Sequence, residues 1–537
     1  PGLTGSLPVE LADLRELVVL AASDTGLCAG SDSVLRAWLQ NLESYRVAPC
    51  QAMRADYLIT QAVQSGEFPV PLVAGEAALL RVFVTSDEAT DLDLPGVRAT
   101  FYQDGSASFV ADVPAQTNPI PVEMDESLLS NTANVEIPAS IMEPGLEVVI
   151  EIDPGGALPP GLAIAKRIPQ TGRNAVDVRN MPVLDLTLIP FLYSPAPDRH
   201  VLELTDGLSP SGELVSAIDV LLPVEKMDLR VHDPVWTSVN HSGALIGETM
   251  AIHVMEGGSG YYMGLMSGQF DGPSGLAESP GRTAFASSDP LTMAHELGHN
   301  FSLGHAPCGE AAGADPAFPE SDGSIGVWGY DFRDGSLVPP WHKDVMGYCG
   351  PVWVSDFHFT KALRYRIERE SGLPPPAAAR TLLIWGGIDE FGAPFLEPSF
   401  VVDAPPVLPD TGGDYRIAGA SPEGELFSFR FEMPELVHGE ERSIFAFAVP
   451  VPSEWGRALT EISLSGPGGT ARLDSQTVNP MSIYRDAVTG HVRGMLRAQE
   501  TGVGGISRRP VTPEWVSDTD LEVYSSSGLP GTSEWER

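Results

Sequence analysis

The densest chemistry in the chain lies in one run, His295-Glu296-Leu297-Gly298-His299-Asn300-Phe301-Ser302-Leu303-Gly304-His305. His295 and His299 stand four apart, so on a helix they share one face and can grip a single metal ion at roughly 2.0–2.1 Å. Glu296 cannot reach the same coordination point as its neighbours and is left free as a general base toward a water on the metal. The helix that must carry them is itself signalled. Asp289 is a natural N-cap, Pro290 suits the first helical position, and Leu291, Ala294, Leu297 and Phe301 recur at the spacing of a buried stripe. The bland alternative is a helix with surface histidines, but the chain has only 11 histidines to place at these offsets.

The pattern resembles that of the metzincin zinc endopeptidases, H-E-x-x-H-x-x-G-x-x-H followed by a Met-turn. The resemblance implies that His295, His299 and His305 hold one catalytic Zn2+ and that Glu296 is the base and acid of peptide hydrolysis. Ser302 stands where the family carries Gly. That Gly lets the chain leave the helix in a left-handed conformation, and a non-Gly residue there costs about 1–2 kcal/mol; Gly304 is expected to take up part of the turn. Downstream, Asp344-Val345-Met346-Gly347-Tyr348-Cys349 matches the Met-turn. By the resemblance, Met346 is an apolar floor under the metal and not a ligand. Tyr348 matches a Tyr of the astacin-like and serralysin-like branches, which ligates zinc or hydrogen-bonds the oxyanion; its alternative is packing. Gly260–Leu265 and Gly275-Leu276-Ala277 fall where metzincins place the sheet edge above the cleft, which implies a protein or glycoprotein substrate bound extended along that edge.

Four cysteines allow three connectivities, of which the sequence-local one, Cys28–Cys50 and Cys308–Cys349, suits the domain reading. The second bridge would tie the third-histidine loop to the Met-turn. Disulfides in turn predict an oxidising, extracellular setting. With 32 basic against 72 acidic residues the formal charge is −40, which argues against nucleic-acid and anionic-membrane partners. No apolar run reaches the ~18–20 residues that span a bilayer. The chain begins at Pro1 with no initiator Met or leader, which predicts a fragment or processed form.

Along the chain as a whole, 55 Gly and 48 Pro without a three-residue period indicate turn-rich β structure. Four domains are expected. In residues 1–50, Leu3-Thr4-Gly5-Ser6-Leu7-Pro8 with Leu11, Leu14, Leu17 and Leu20 resembles the end of a plant-type leucine-rich-repeat array. A disulfide cap would follow; the alternative is one amphipathic helix over Val9–Ala22. Residues 51–180 read as a β-sandwich. Residues 181–372 read as the peptidase domain, with a strand from Val183, a helix over Ser211–Leu222, and strands at Met227–His232 and Met250–Val254. Residues 380–537 read as a second sandwich. The fold class is therefore multidomain α+β, a metzincin-like mixed-sheet and helix domain flanked by β-sandwiches, with a leucine-rich-repeat remnant at the N-terminal end. The remaining histidines, His438 among them, lack partners at ligand spacing and are expected to be structural or superficial. The reading is a secreted zinc endopeptidase; the rival is a non-catalytic adhesin or binding protein with a decayed site.

Overall fold

The computed structural model describes residues 4–22, 25–30, 32–49, 53–159, 164–370, 376–438, 442–452, 455–498, 500–501, 505–506 and 520–535. It is a mixed α+β molecule, rich in sheets and poor in helices, and the chain divides into two compact units. The first comprises residues 1–180 with the segments 324–343 and 351–356; the second holds residues 181–323, 344–350 and 357–537. Among the described residues no helix is long and apolar enough to cross a membrane.

In the first unit, short parallel strands stack in steps, Thr4 beside Gly26 and Cys28 beside Ala48, with a second parallel pair at Val19 and Ser44. Residues 9–22 therefore do not form one helix; only Val9–Asp13 makes a 3-10 turn. The helix Ser33–Gln40 is capped by the Asp32 carboxylate and buries Leu35 and Leu39. Cys28 is disulfide-bonded, while its expected partner Cys50 lies outside the described residues. Beyond it, two antiparallel sheets enclose one apolar core that includes Leu80, Val82, Val97, Phe101, Val148 and Ile150.

The second unit is built on a ten-stranded sheet. Its strands are β1 (Leu184–Tyr193), β2 (Met227–Val231), β3 (Val235–Thr237), β4 (Tyr261–Met266), β5 (Gly275–Glu278), β6 (Thr283–Ser287), β7 (Leu436–Val437), β8 (Met481–Asp486), β9 (Val492–Arg497) and β10 (Leu521–Ser526). The order is β7-β5-β6-β4-β1-β3-β9-β8-β10, with β2 also beside β1. Its longer helices are α1 (Ser242–Glu256), α2 (Pro290–Asn300) and α3 (Asp356–Arg369). β4, β1 and β6 run parallel, whereas β5 is antiparallel to β6.

Met250–Val254, expected as a strand, lies inside α1. The reason is burial on all sides. Leu245, Ile246, Met250, Ile252 and Met255 share a core with β1, β6 and the strands Ala379–Ile388 and Phe400–Ala404. A helix enclosed by apolar surface shows no 3.6-residue period, and its apolar run imitates a buried strand. Alternation in Ala379–Ile388 does the complementary job: Leu383 and Trp385 face α1, while Leu382 and Ile384 face a second core shared with Ile417, Phe431 and Phe445. That sandwich runs through Gly469–Asp474, after which β8, β9 and β10 return to the ten-stranded sheet. Arg497 on β9 pairs with the buried Glu248 of α1 at 2.5 Å and binds the returning strands to the helix.

Candidate metal centre

α2 begins as its sequence dictates. The Asp289 carboxylate accepts from Thr292 N at 2.8 Å, and Pro290 takes the first turn, where a missing N–H costs nothing. Ala294, Leu297 and Phe301 are buried as expected, but Leu291 is 42% exposed, because the first turn projects beyond the core. Asn300 ties the far end to the sheet, donating to Glu278 O and Thr283 O at 2.8 and 3.0 Å.

The helix ends in a Schellman turn: Leu303 N donates to Gly298 O and Ser302 N to His299 O, at 3.1 and 2.9 Å. The residue after such a cap is left-handed and normally Gly. Here it is Ser302, at φ 68°, and not Gly304, that carries the turn. The reversal brings His305 back toward the helix.

Three imidazoles now converge, each held through Nδ1 by a backbone carbonyl: His295 by Val345 at 2.7 Å, His299 by Leu303 at 2.8 Å and His305 by Ala312 at 2.5 Å. Because Nδ1 donates in each, Nε2 presents a lone pair to the shared centre. The Nε2 atoms of His295 and His299 are 3.0 Å apart. A fourth ring joins them. His438 Nε2 stands 3.2 Å from that of His295 and 3.3 Å from those of His299 and His305. Zinc ligands at roughly 2.0–2.1 Å in a tetrahedron lie about 3.3–3.4 Å apart, so the donor set fits such an ion. Burial, the first cause throughout, lowers the pKa of all four histidines, to about 4 for His295 and about 3 for His438. They are neutral near pH 7, the form that binds metal.

Met346 is fully buried below. A side chain at Gly298 would meet its sulfur at 2.5 Å, so the Gly within the motif is what allows the methionine to approach the helix. Asp344 Oδ1 fixes the turn by accepting from Met346 N and from His358 Nδ1, both at 2.8 Å. The Cys308–Cys349 disulfide, flanked by Ala306 N to Met346 O and Tyr348 N to Cys308 O, joins this turn to the loop bearing His305.

Glu296 lies alongside, buried, with Oε2 unpartnered and Oε1 3.6 Å from His438 Nε2. Burial pushes its carboxyl well above the usual range. A Cβ at Gly275 of β5 would collide with Glu296 Oε1 at 2.2 Å, so that glycine makes the room the carboxylate occupies. Tyr348 is 48% exposed and does not simply pack; its hydroxyl lies 3.2 Å from His305 Nε2 and 2.5 Å from His438 Nδ1.

Residues 253–350 match the family model of Peptidase M66. That stretch runs from the second half of α1 to just past Cys349 and contains His295, Glu296, His299, His305, Met346 and Tyr348. Comparison with curated proteins returns no match. Together the Peptidase M66 match and the buried four-histidine group support a zinc metallopeptidase. Every site residue read from the sequence, apart from the Cys28–Cys50 pair, falls at this centre. His438, expected to be structural or superficial, is there too. It lies outside the matched stretch and 133 positions from His305, and no local spacing could have linked it to the motif.

Proposed function

We propose that the chain is a secreted, metzincin-type zinc endopeptidase that cleaves protein or glycoprotein substrates. The observation that carries this reading is the pairing of converging neutral imidazoles with a buried carboxylate left without a partner on one oxygen. A zinc ion held by His295, His299 and His305 would polarise the scissile carbonyl and acidify a water molecule. The backbone carbonyls of Val345, Leu303 and Ala312 keep the three rings in the tautomer and orientation that this requires. Glu296 takes the proton of the attacking water on a carboxylate oxygen and returns it to the leaving amine nitrogen. Tyr348, half exposed beside His305, donates a hydrogen bond to the oxygen on which negative charge develops. Met346 gives the centre a dry, rigid floor. The Cys308–Cys349 bond supports an extracellular setting. The stacked parallel strands at Thr4, Gly26 and Ala48 support a leucine-rich-repeat end ahead of the sandwich.

The test is casein hydrolysis by the chain and its Glu296→Ala variant at equal zinc content. A loss of about 100-fold or more in the variant is expected; equal rates would refute the role of Glu296. The second reading, a non-catalytic binding protein, is favoured by one observation: with His438 counted, the nitrogen set is closed, as in structural zinc sites. It predicts no cleavage by either chain while both retain zinc.

A further inference from the structure

His438 sits on a crossover of the C-terminal sandwich, between the strands Gly424–Phe431 and Ser443–Pro450. Instead of turning directly, residues 432–438 run to the ten-stranded sheet. β7 pairs antiparallel with β5, Leu436 opposite Glu278 and Val437 opposite Ala277, and Ser279 N donates to Glu435 O at 3.0 Å. Leu436 is buried in the core around α1. Without this segment β5 would be the edge strand, and its free backbone would be open to an extended peptide.

Covering an edge does not call for an imidazole at ligand distance from three others. The backbone of His438 is left-handed, φ 67°, an uncommon conformation for a residue with a side chain and one that persists only where the surroundings enforce it. It turns the ring from the edge onto the centre. There Nε2 lies between the three histidines and Glu296 Oε1, and Nδ1 engages the Tyr348 hydroxyl. One ring thus occupies the space in which the base, the metal and the tyrosine would meet a substrate.

We propose that residues 432–438 form an internal strap that holds the centre closed. β7 takes the place of an extended substrate on β5, and His438 takes the coordination position that substrate and water need. The inference rests on the peptidase reading, and it also names the substrate geometry: a peptide that enters must run antiparallel to β5 and displace the strap.

The test compares the zinc-loaded chain with His438→Ala and Leu436→Asp. The first removes the fourth nitrogen; the second leaves His438 in place but makes Leu436 unfit for its buried seat. Zinc content after dialysis, acetohydroxamate affinity by calorimetry and casein hydrolysis are measured for each. Both variants are expected to keep stoichiometric zinc and to bind acetohydroxamate at least about tenfold more tightly, as when a closed state populated at about 90% or more is removed. Loss of zinc from His438→Ala, under dialysis that the parent survives, would overturn the strap and make His438 a permanent fourth ligand. Unchanged acetohydroxamate affinity in both variants would overturn it as well. Tighter acetohydroxamate binding without casein cleavage would uphold the strap and remove the peptidase reading, so the two fail separately.

Discussion

Among the described residues, two groups of histidine and acidic side chains in the second unit are close enough to hold a metal: His295, His299, His305 and His438, and His232, Glu256 and His491. They differ in what each polar atom faces. In the second group His232 Nε2 lies 2.9 Å from Glu256 Oε1 and Nδ1 lies 2.6 Å from Asp233 O, while Val492 N donates to the same Glu256 oxygen at 2.9 Å. Donors meet acceptors, and the group is complete as an ion pair. In the first group, three Nδ1 atoms are spent on backbone carbonyls and the Nε2 lone pairs face one another. A cation at the shared point would satisfy that arrangement. Burial works against charge in both places, yet at His232 the Glu256 hydrogen bond and charge outweigh it and raise the pKa. At His295 and His299 burial is the larger effect, and the pKa falls. Unmatched lone pairs, more than the number of histidines, distinguish a metal centre from a buried ion pair.

Chelation should separate the two most sharply. A metal present at about 1,000 times its Kd stabilises by about 4 kcal/mol. 1,10-Phenanthroline should therefore lower the melting temperature of the parent and of His232→Gln alike, and should abolish any cleavage. His295→Ala should show no such shift; a shift equal to the parent's would dissolve the distinction. Next in size, His232→Gln removes the charged partner of a buried carboxylate and should cost about 3 kcal/mol. Its sign with pH is fixed. A histidine whose folded value is raised contributes fully below its unfolded value of 6.5, and the contribution fades as pH rises through the folded value. Urea midpoints of parent and variant should thus differ most near pH 6 and converge toward pH 9. A gap that widens with pH would mean that His232 is neutral in the folded state.

Local pattern revealed what local spacing encodes. The cap at Asp289, the His295–His299 face and the Met346 turn follow from hydrogen bonding and helical period acting within a few residues. α1 stayed hidden because its enclosure by two sheets erased its period, and only tertiary packing tells that run from a strand. His438 stayed hidden for another reason. The chain between Phe431 and Ser443 carries no sign of its target, since a strand that adds to β5 needs backbone and not a motif. Gly275 was noticed only as part of a sheet edge; that its missing Cβ houses Glu296 is a fact of contact alone.

That contact also sets the alignment of the Glu296 carboxylate. Gly275→Ala should drive the Glu296 carboxylate out of line while leaving the histidines untouched. A displacement on the order of 1 Å at a reacting group lowers rate by about 100-fold. Casein hydrolysis should fall accordingly while zinc retention stays at the parent level. A loss of zinc as well would show that Glu296 and the ligands move together, and would blur the separation of base from metal group.

The smallest effect probes strain, which also divides the two groups. Among the described residues, Ser302 and His438 at the first centre are left-handed without being Gly, whereas no residue of the second is. A side chain in that conformation costs about 1–2 kcal/mol. Glycine relieves it but gives back about 0.4–1 kcal/mol through the greater freedom of the unfolded chain. Ser302→Gly should therefore stabilise the zinc-free protein by about 0.5–1 kcal/mol, read as a higher urea midpoint under non-reducing conditions. The histidine positions are set by Nδ1 bonds to Val345, Leu303 and Ala312, which the substitution leaves in place. Zinc affinity should accordingly change little. If affinity rose instead with stability unchanged, the strain would lie in bringing His305 to the metal and not in the turn itself.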